Sequence, residues 1–197
     1  MHPKVFTNTS LSIMLHALLI FASLTVACAI PIEAAGQVYL TYSGEVKFKS
    51  DAPLELITAA SNQLRGAIDT EKRTFAFSIE MNTFEGFNSP LQREHFNENY
   101  LETQRYPKAT FTGKIIEDLD LTKPGTYEVR AKGTLSIHGI ARERIIKSQV
   151  RVDENGIHIE SYFTVLLEEH DISIPKIVYQ KIAEEIEVWI NATLTKQ

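Results

Sequence analysis

Histidine is the side chain best suited to acid–base chemistry near neutral pH, and four histidines lie beyond residue 36: His95, His138, His158 and His170. His95 and His138 are the candidates for catalysis or for contact with a polar ligand group, although a lone histidine is more often a packing residue. No serine stands at a supporting distance from a histidine and a carboxylate. Gly-rich phosphate loops, Gly-x-Ser-x-Gly elbows and His-Glu-x-x-His helices are absent from the sequence. We therefore predict that the protein is not an enzyme.

A metal site could be built only from the acidic residues near two of these histidines. His158 and Glu160 are two residues apart and would share one strand face, and the Glu-Glu-His-Asp stretch at 168–171 offers further ligands. A solvated strand face and a polar turn explain the same residues more simply. We predict no metal and no cofactor.

Alternation of apolar and polar residues with a period of two describes the elements that position these side chains. The alternation is clear in four segments, 73–81, 127–137, 157–167 and 185–195, and weaker at 37–49, 54–60, 109–117 and 143–152. Strands with one apolar and one polar face are typical of antiparallel sheets. Several run longer than the usual five or six residues, which favours a closed barrel without exposed edges.

One segment, 88–103, has helical rather than strand spacing. Ser89 is a suitable N-cap, Pro90 suits the first helical position, and the helix should end before Tyr106-Pro107. Asp-Glu-Asn-Gly at 153–156 predicts a tight hairpin. The sequence thus predicts an all-β fold, an extended antiparallel barrel with one short helix.

The N-terminal 36 residues differ from the rest of the chain. Lys4 is the only charged side chain among residues 1–10, and residues 11–30 carry no formal charge. This pattern predicts a signal helix at 1–36, which is cleaved, or alternatively a retained anchor, followed by one domain at 37–197. Cleavage after Gly36 or near Ala29 is plausible, and Cys28 lies in a sequence that loosely resembles a lipoprotein box. We expect a periplasmic or secreted protein with no stable membrane span in its mature form.

Composition limits the partners of the protein. The chain has 197 residues, of which 44% are hydrophobic and 23% charged, with a net charge of −5. That length and composition suit a single globular domain. Because phosphate contacts need clustered Lys and Arg, the acidic balance argues against nucleic acid as a partner.

Two combined motifs resemble the YceI-like family. The first is Arg-Glu-His-Phe at 93–96 followed by Tyr-Pro-Lys-Ala-Thr-Phe at 106–111, and the second is the Gly-Thr-Leu-Ser-Ile-His-Gly stretch at 133–139. A looser match at 163–175 follows, so the resemblance extends from about residue 66 to the C-terminus. It implies a lipocalin-like barrel that binds a long apolar molecule, typically a polyisoprenoid or related lipid. Family members usually carry a histidine in a long first hairpin. The corresponding stretch, 42–66, has none, so we expect a shortened or altered first hairpin.

The resemblance and the alternating pattern together predict the ligand site. Small inward residues such as Ala131, Gly133, Ser161 and Ala192 would leave room for a ligand, although a solid core fits the periodicity equally well. The apolar lining should comprise Phe75, Phe77, Ile79, Val129, Leu135, Ile137, Phe163, Val165, Val188 and Ile190, with Phe96 and Tyr100 closing one end. A polar headgroup would meet His95, His138, Arg142 and Arg144.

Three functions follow from these alternatives. The leading prediction is a carrier that sequesters the apolar ligand. A solid barrel would instead indicate a non-catalytic envelope or stress-related interaction module, and an enzyme would need His95 and His138 in one pocket. Whether the protein forms a homodimer is left open.

Overall fold

The computed structural model describes residues 37–197, which form a closed antiparallel barrel of eight strands. Each strand pairs with the next in the chain, and the last pairs with the first. The strands are β1 (Val38–Asp51), β2 (Leu56–Asp69), β3 (Thr74–Glu80), β4 (Lys108–Ile115), β5 (Gly125–Ile137), β6 (Ile140–Asp153), β7 (Gly156–Leu166) and β8 (Glu185–Lys196). The predicted all-β barrel with one short helix is confirmed. The predicted signal helix, its cleavage sites and Cys28 lie outside the described residues.

The alternating sequence explains why these segments form barrel strands. In β5, Val129 and Leu135 are buried, whereas Glu128, Arg130 and Thr134 are exposed. Successive side chains of a strand point to opposite faces, so the apolar set turns into the barrel and the charged set faces outward.

The first hairpin is not shortened, contrary to expectation. Both β1 and β2 have 14 residues, and they pair from Val38 with Asp69 to Asp51 with Leu56. Register shifts interrupt the pairing near Gly44. A bulge adds one residue and so reverses which side chains face inward. In β2 the buried positions change from odd to even numbers across this shift, which hid the second half of the strand from a search for strict alternation.

The predicted helix occupies the connection between β3 and β4. It is α1 (Pro90–His95), continued by a π-helical turn at Phe96–Tyr100. The hydroxyl oxygen of Ser89 accepts a hydrogen bond from the backbone N–H of Gln92 at 3.2 Å, which confirms the predicted N-cap. Within residues 37–197, the helices are all too short or too polar to be bilayer-spanning segments.

The two ends of the barrel differ. The long connections, which we call the first insertion (81–107) and the second insertion (167–184), both join strands at the same end, together with the short β1–β2 and β5–β6 turns. At the opposite end, Leu121 from the β4–β5 loop packs with Ile157 and Leu194, and all three are fully buried. The barrel is therefore plugged at one end, and any opening must lie among the insertions.

Candidate binding cavity

The barrel is hollow. A cavity of about 500 Å³ lies between the strands, within the usual size range of small-molecule sites. Side chains from all eight strands and both insertions line it, and most of them are apolar. The interior is therefore not filled by the protein's own side chains, and the solid-core alternative is wrong.

The cavity brings together all twelve residues that the sequence predicted as apolar lining. Ten come from the strands and two from the helical segment of the first insertion. They are Phe75, Phe77, Ile79, Val129, Leu135, Ile137, Phe163, Val165, Val188, Ile190, Phe96 and Tyr100. That they contact a ligand stays a prediction. Burial raises the pKa of the Tyr100 phenol, which keeps that side chain neutral.

An aromatic cluster near the insertions escaped the sequence analysis. Phe48 of β1 stacks on Phe96 at 5.5 Å between ring centroids, and Phe84 and Phe87 of the first insertion lie 5.4 and 6.0 Å from Phe48. All four rings line the cavity. Phe84 and Phe87 lie in an irregular segment, where no period of two or 3.6 could have marked them. Phe48 lies beyond the register shift of β1, where the alternation changes phase.

The depth of the cavity offers little polar chemistry. Ser148 of β6 and Ser161 of β7 face each other. Their hydroxyl oxygens are 2.7 Å apart, so the two hydroxyls form a hydrogen bond with each other. The ionisable side chains other than tyrosine along the cavity wall are Glu55, His95 and Lys181, and all three belong to the connections at the open end. A bound molecule would therefore meet mainly hydrocarbon in the barrel, and charged side chains only at the mouth.

Hydrogen bonds hold the mouth together. The side-chain amide of Gln92 in α1 donates to the Glu55 carboxylate at 2.9 Å, which joins the first insertion to the β1–β2 turn. The backbone N–H of Ala183 donates to the Ser50 hydroxyl at 2.8 Å, which joins the second insertion to β1. His95 is exposed at this mouth, where the sequence predicted a headgroup contact.

His138 does not line the cavity, and its contact with a headgroup stays a prediction. His138 and Gly139 both have positive φ angles, 52° and 75°, and form the tight β5–β6 turn. One ring nitrogen of His138 lies 3.0 Å from the Glu102 carboxylate and the other 3.0 Å from the carbonyl oxygen of His170. The imidazole thus ties the turn to both insertions, and both nitrogens are occupied.

Arg142 and Arg144 also lie outside the cavity lining, and their contact with a headgroup likewise stays a prediction. The β6–β7 ladder stops at Ser148–Ser161, and the two strands separate towards the mouth. Arg144 spans this gap, donating to the Thr164 carbonyl at 2.7 Å and to the Glu169 carboxylate at 2.9 Å. Arg142 donates to the Glu169 carbonyl at 2.7 Å. We call this bridged gap the β6–β7 seam.

The sequence of the whole barrel matches one family. The YceI-like domain matches residues 39–194, which span every strand from β1 to β8. The chain belongs to the YceI-like family. No curated protein matches it.

Solved structures share the fold of this YceI-like chain at low sequence identity. A polyisoprenoid binding domain from Saccharophagus degradans, implicated in plant cell wall breakdown, superposes with a TM-score of 0.70 and 17% identity over 83% of this chain and 100% of that one. BcnA from Burkholderia cenocepacia gives a TM-score of 0.63 at 15% identity, over 77% of this chain and 94% of its own. The YCEI protein of Campylobacter jejuni gives 0.50 at 15%, over 66% and 77%.

The remaining histidines of the YceI-like barrel hold structure together. His158 lies on the outer face, with its ring nitrogens 3.0 Å from the Asp153 carboxylate and 3.0 Å from the Thr193 hydroxyl. His170 is fully buried in the second insertion, and one ring nitrogen lies 3.2 Å from the Ile140 carbonyl. Residues 37–197 contain no group of three or more His, Cys, Asp or Glu side chains close enough to hold a metal ion.

Proposed function

We propose that this YceI-like protein is a non-catalytic carrier that sequesters a long apolar molecule, a polyisoprenoid or a related lipid, inside the barrel. The observation that carries the proposal is the mainly apolar cavity of about 500 Å³, plugged at one end and lined by Glu55, His95 and Lys181 only at the other. The fold shared with a domain described as polyisoprenoid binding supports the choice of ligand class.

The hydrophobic effect supplies the binding free energy. Each methylene moved from water into the cavity contributes about 0.8 kcal/mol, so about ten buried methylenes offset a large part of the cost of immobilising the ligand. The exposed faces of strands such as β5 carry charged residues, which keep the loaded carrier in solution. A polar headgroup would remain at the mouth beside Glu55, His95 and Lys181.

The arrangement of the histidines supports a binding role over catalysis. His138 and His158 have both ring nitrogens within hydrogen-bond distance of protein groups, and His170 is sealed from solvent. Of the histidines in 37–197, His95 alone lines the cavity, and the lining carboxylate, Glu55, accepts a hydrogen bond from Gln92. General acid–base catalysis needs a positioned proton donor or acceptor at the reacting atoms, and no side chain within residues 37–197 forms a hydrogen bond that would position His95.

Native purification followed by lipid extraction and mass spectrometry tests the carrier role. The protein should yield an apolar molecule in near-equimolar amount. Ala131 lines the cavity whereas Ala76 is exposed on the outer face, so Ala131→Phe should reduce the extracted amount and Ala76→Phe should not. Protein that is free of any apolar molecule and takes up neither prenyl nor fatty-acyl probes would refute the proposal.

We propose a periplasmic or secreted location from the sequence of residues 1–36. A cleaved signal would deliver the barrel to the periplasm or to the medium. Cell fractionation combined with N-terminal sequencing tests this proposal. A mature chain that begins near Gln37 supports it, lipidated Cys28 would indicate an anchored form, and an uncleaved cytoplasmic chain would contradict it.

A further inference from the structure

Exposed apolar side chains concentrate around the mouth. Among residues 37–197, nine large apolar side chains are exposed; four of them belong to the three connections that surround the mouth, and a fifth, Leu56, begins β2 beside them. Ile177 is 91% exposed, Leu54 is 67% and Tyr179 is 63%. Together with Leu56 and Leu91 they form what we call the apolar rim. Scattered apolar residues on a surface need no explanation, but a concentration at one opening marks an interaction site.

Direct hydrogen bonds make the apolar rim continuous. The backbone N–H of Leu54 donates to the Gln180 carbonyl at 2.9 Å, so the β1–β2 turn lies against the second insertion. The bond from Gln92 to Glu55 places α1 against the other side of the same turn. The three connections that carry the apolar rim therefore lie side by side at the mouth.

The apolar rim also continues into the cavity wall. Among the residues of these connections that line the cavity are the apolar side chains of Val178 and Ile182. Leu91 is exposed and contacts the cavity as well. An apolar molecule could thus move from whatever covers the rim to the interior while remaining on apolar surface.

The charge on segment 175–183 of the second insertion indicates the kind of surface that covers the rim. Residues 175–183 carry Lys176 and Lys181, both exposed, and no acidic residue. Neither lysine forms an ion pair with any other part of the described chain. Tyrosine and lysine beside exposed aliphatic residues are the side chains favoured at a membrane–water interface. The acidic residues of the second insertion, Glu168, Glu169, Asp171 and Glu184, lie outside this segment. The positive charge is therefore confined to 175–183, where the exposed Ile177 and Tyr179 also lie.

We infer that the apolar rim docks on the surface of a lipid bilayer containing anionic lipids, with Ile177 and Leu54 inserted among the acyl chains and the two lysines at the headgroups. The cargo then passes between bilayer and cavity without crossing water, a consequence that rests on the proposed carrier function. A second copy of the chain fits the rim less well, because a symmetric contact would bring the same lysines of both copies together.

Hydrogen–deuterium exchange of the full chain tests the docking. Vesicles of phosphatidylcholine, with and without a minority of phosphatidylglycerol, serve as the probe. The anionic vesicles should slow exchange at 52–56 and 175–183 and leave the 116–124 loop at the plugged end unchanged. Protection confined to residues 1–36, or absent altogether, would overturn the inference. Protection of the rim that grows with protein concentration without vesicles would also overturn it, because a second copy would then be the occupant.

A matched pair of substitutions separates docking from cargo binding. Ile177 and Ile145 are both exposed, but Ile145 lies on the outer wall of β6. Ile177→Asp should weaken vesicle partitioning by about tenfold or more, whereas Ile145→Asp should not. Both variants should bind a water-dispersed prenyl probe like the unmodified protein. Equal partitioning of the two variants onto vesicles would contradict the docking. Failure of the unmodified protein to bind the prenyl probe would instead contradict the carrier function itself.

Discussion

Replacing one methyl group of the cavity wall by a hydroxyl tests whether the ligand occupies the barrel. Val188 of β8 is half-buried and lines the cavity, and its neighbours in register are Phe48 and Phe163. Threonine has nearly the shape of valine and suits a strand equally well. In the empty barrel the new hydroxyl of Val188→Thr meets water, so the free energy of unfolding should change little.

A bound hydrocarbon would remove that water and leave the hydroxyl without a hydrogen-bond partner. Burial of such a group costs about 1–3 kcal/mol. At about 1.4 kcal/mol for each factor of ten, the dissociation constant for an apolar chain should rise by about 5- to 150-fold. Titration of a fluorescent prenyl probe, monitored by fluorescence or calorimetry, measures this change directly.

Val152 provides the matched control. It is 5% exposed and packs in the core at the plugged end, outside the cavity lining. Val152→Thr should lower the free energy of unfolding, because its hydroxyl is buried in the folded protein itself, and should leave probe affinity unchanged. Equal affinities for Val188→Thr and the unmodified protein would refute a ligand position against this wall.

Three further outcomes are expected of the fold around the cavity. An added Cβ at Gly66 would overlap the Phe77 ring, closer than van der Waals contact allows. Gly66→Ala should therefore lower the free energy of unfolding by about 1–3 kcal/mol in urea titrations; an unchanged urea midpoint would show that the ring moves aside at no cost. Burial lowers the pKa of the His170 imidazole below its usual 6.5, so the unfolded chain binds a proton that the folded protein excludes as the pH falls below 6.5. Stability should therefore decrease over that range, and His170→Gln should flatten this dependence relative to the unmodified protein. Arg144→Gln removes the charged donor from the Thr164 carbonyl and should cost about 1–3 kcal/mol of unfolding free energy, with faster amide exchange in β7 near the seam, whereas Arg144→Lys should lose less; identical exchange in all three proteins would show that the bridge does not hold the strands.

The architecture was largely predictable because a single physical pattern controls it. Strands such as β5 have one apolar face and one charged face, and only the apolar face can turn into the barrel. The period of two therefore predicted both the strand and the side chains that face inward. The Ser89-Pro90 pair likewise specified the start of α1 through local hydrogen bonding. The second half of β2 was not predictable in this way, because the bulge changes the phase of the pattern.

The mouth of the cavity was less predictable because tertiary contacts determine it. Arg144 has the same parity in β6 as the buried Ile146, and only the separation of β6 from β7 gives its guanidinium a free carbonyl to bind. His138 was named with a headgroup, but its position depends on Glu102 from the first insertion. The inward placement of Phe84 depends on how that irregular insertion folds over β1, and no local pattern encodes it.

The dependence of affinity on ligand chain length tests the central claim most directly. Delipidated protein is titrated with a series of prenyl alcohols of increasing length, and the dissociation constant is determined for each. A finite apolar interior predicts one-to-one binding whose free energy strengthens by about 0.8 kcal/mol for each added methylene until the cavity is full, and then levels off. Affinity that does not depend on length, or that strengthens without limit and without fixed stoichiometry, would contradict binding inside the barrel.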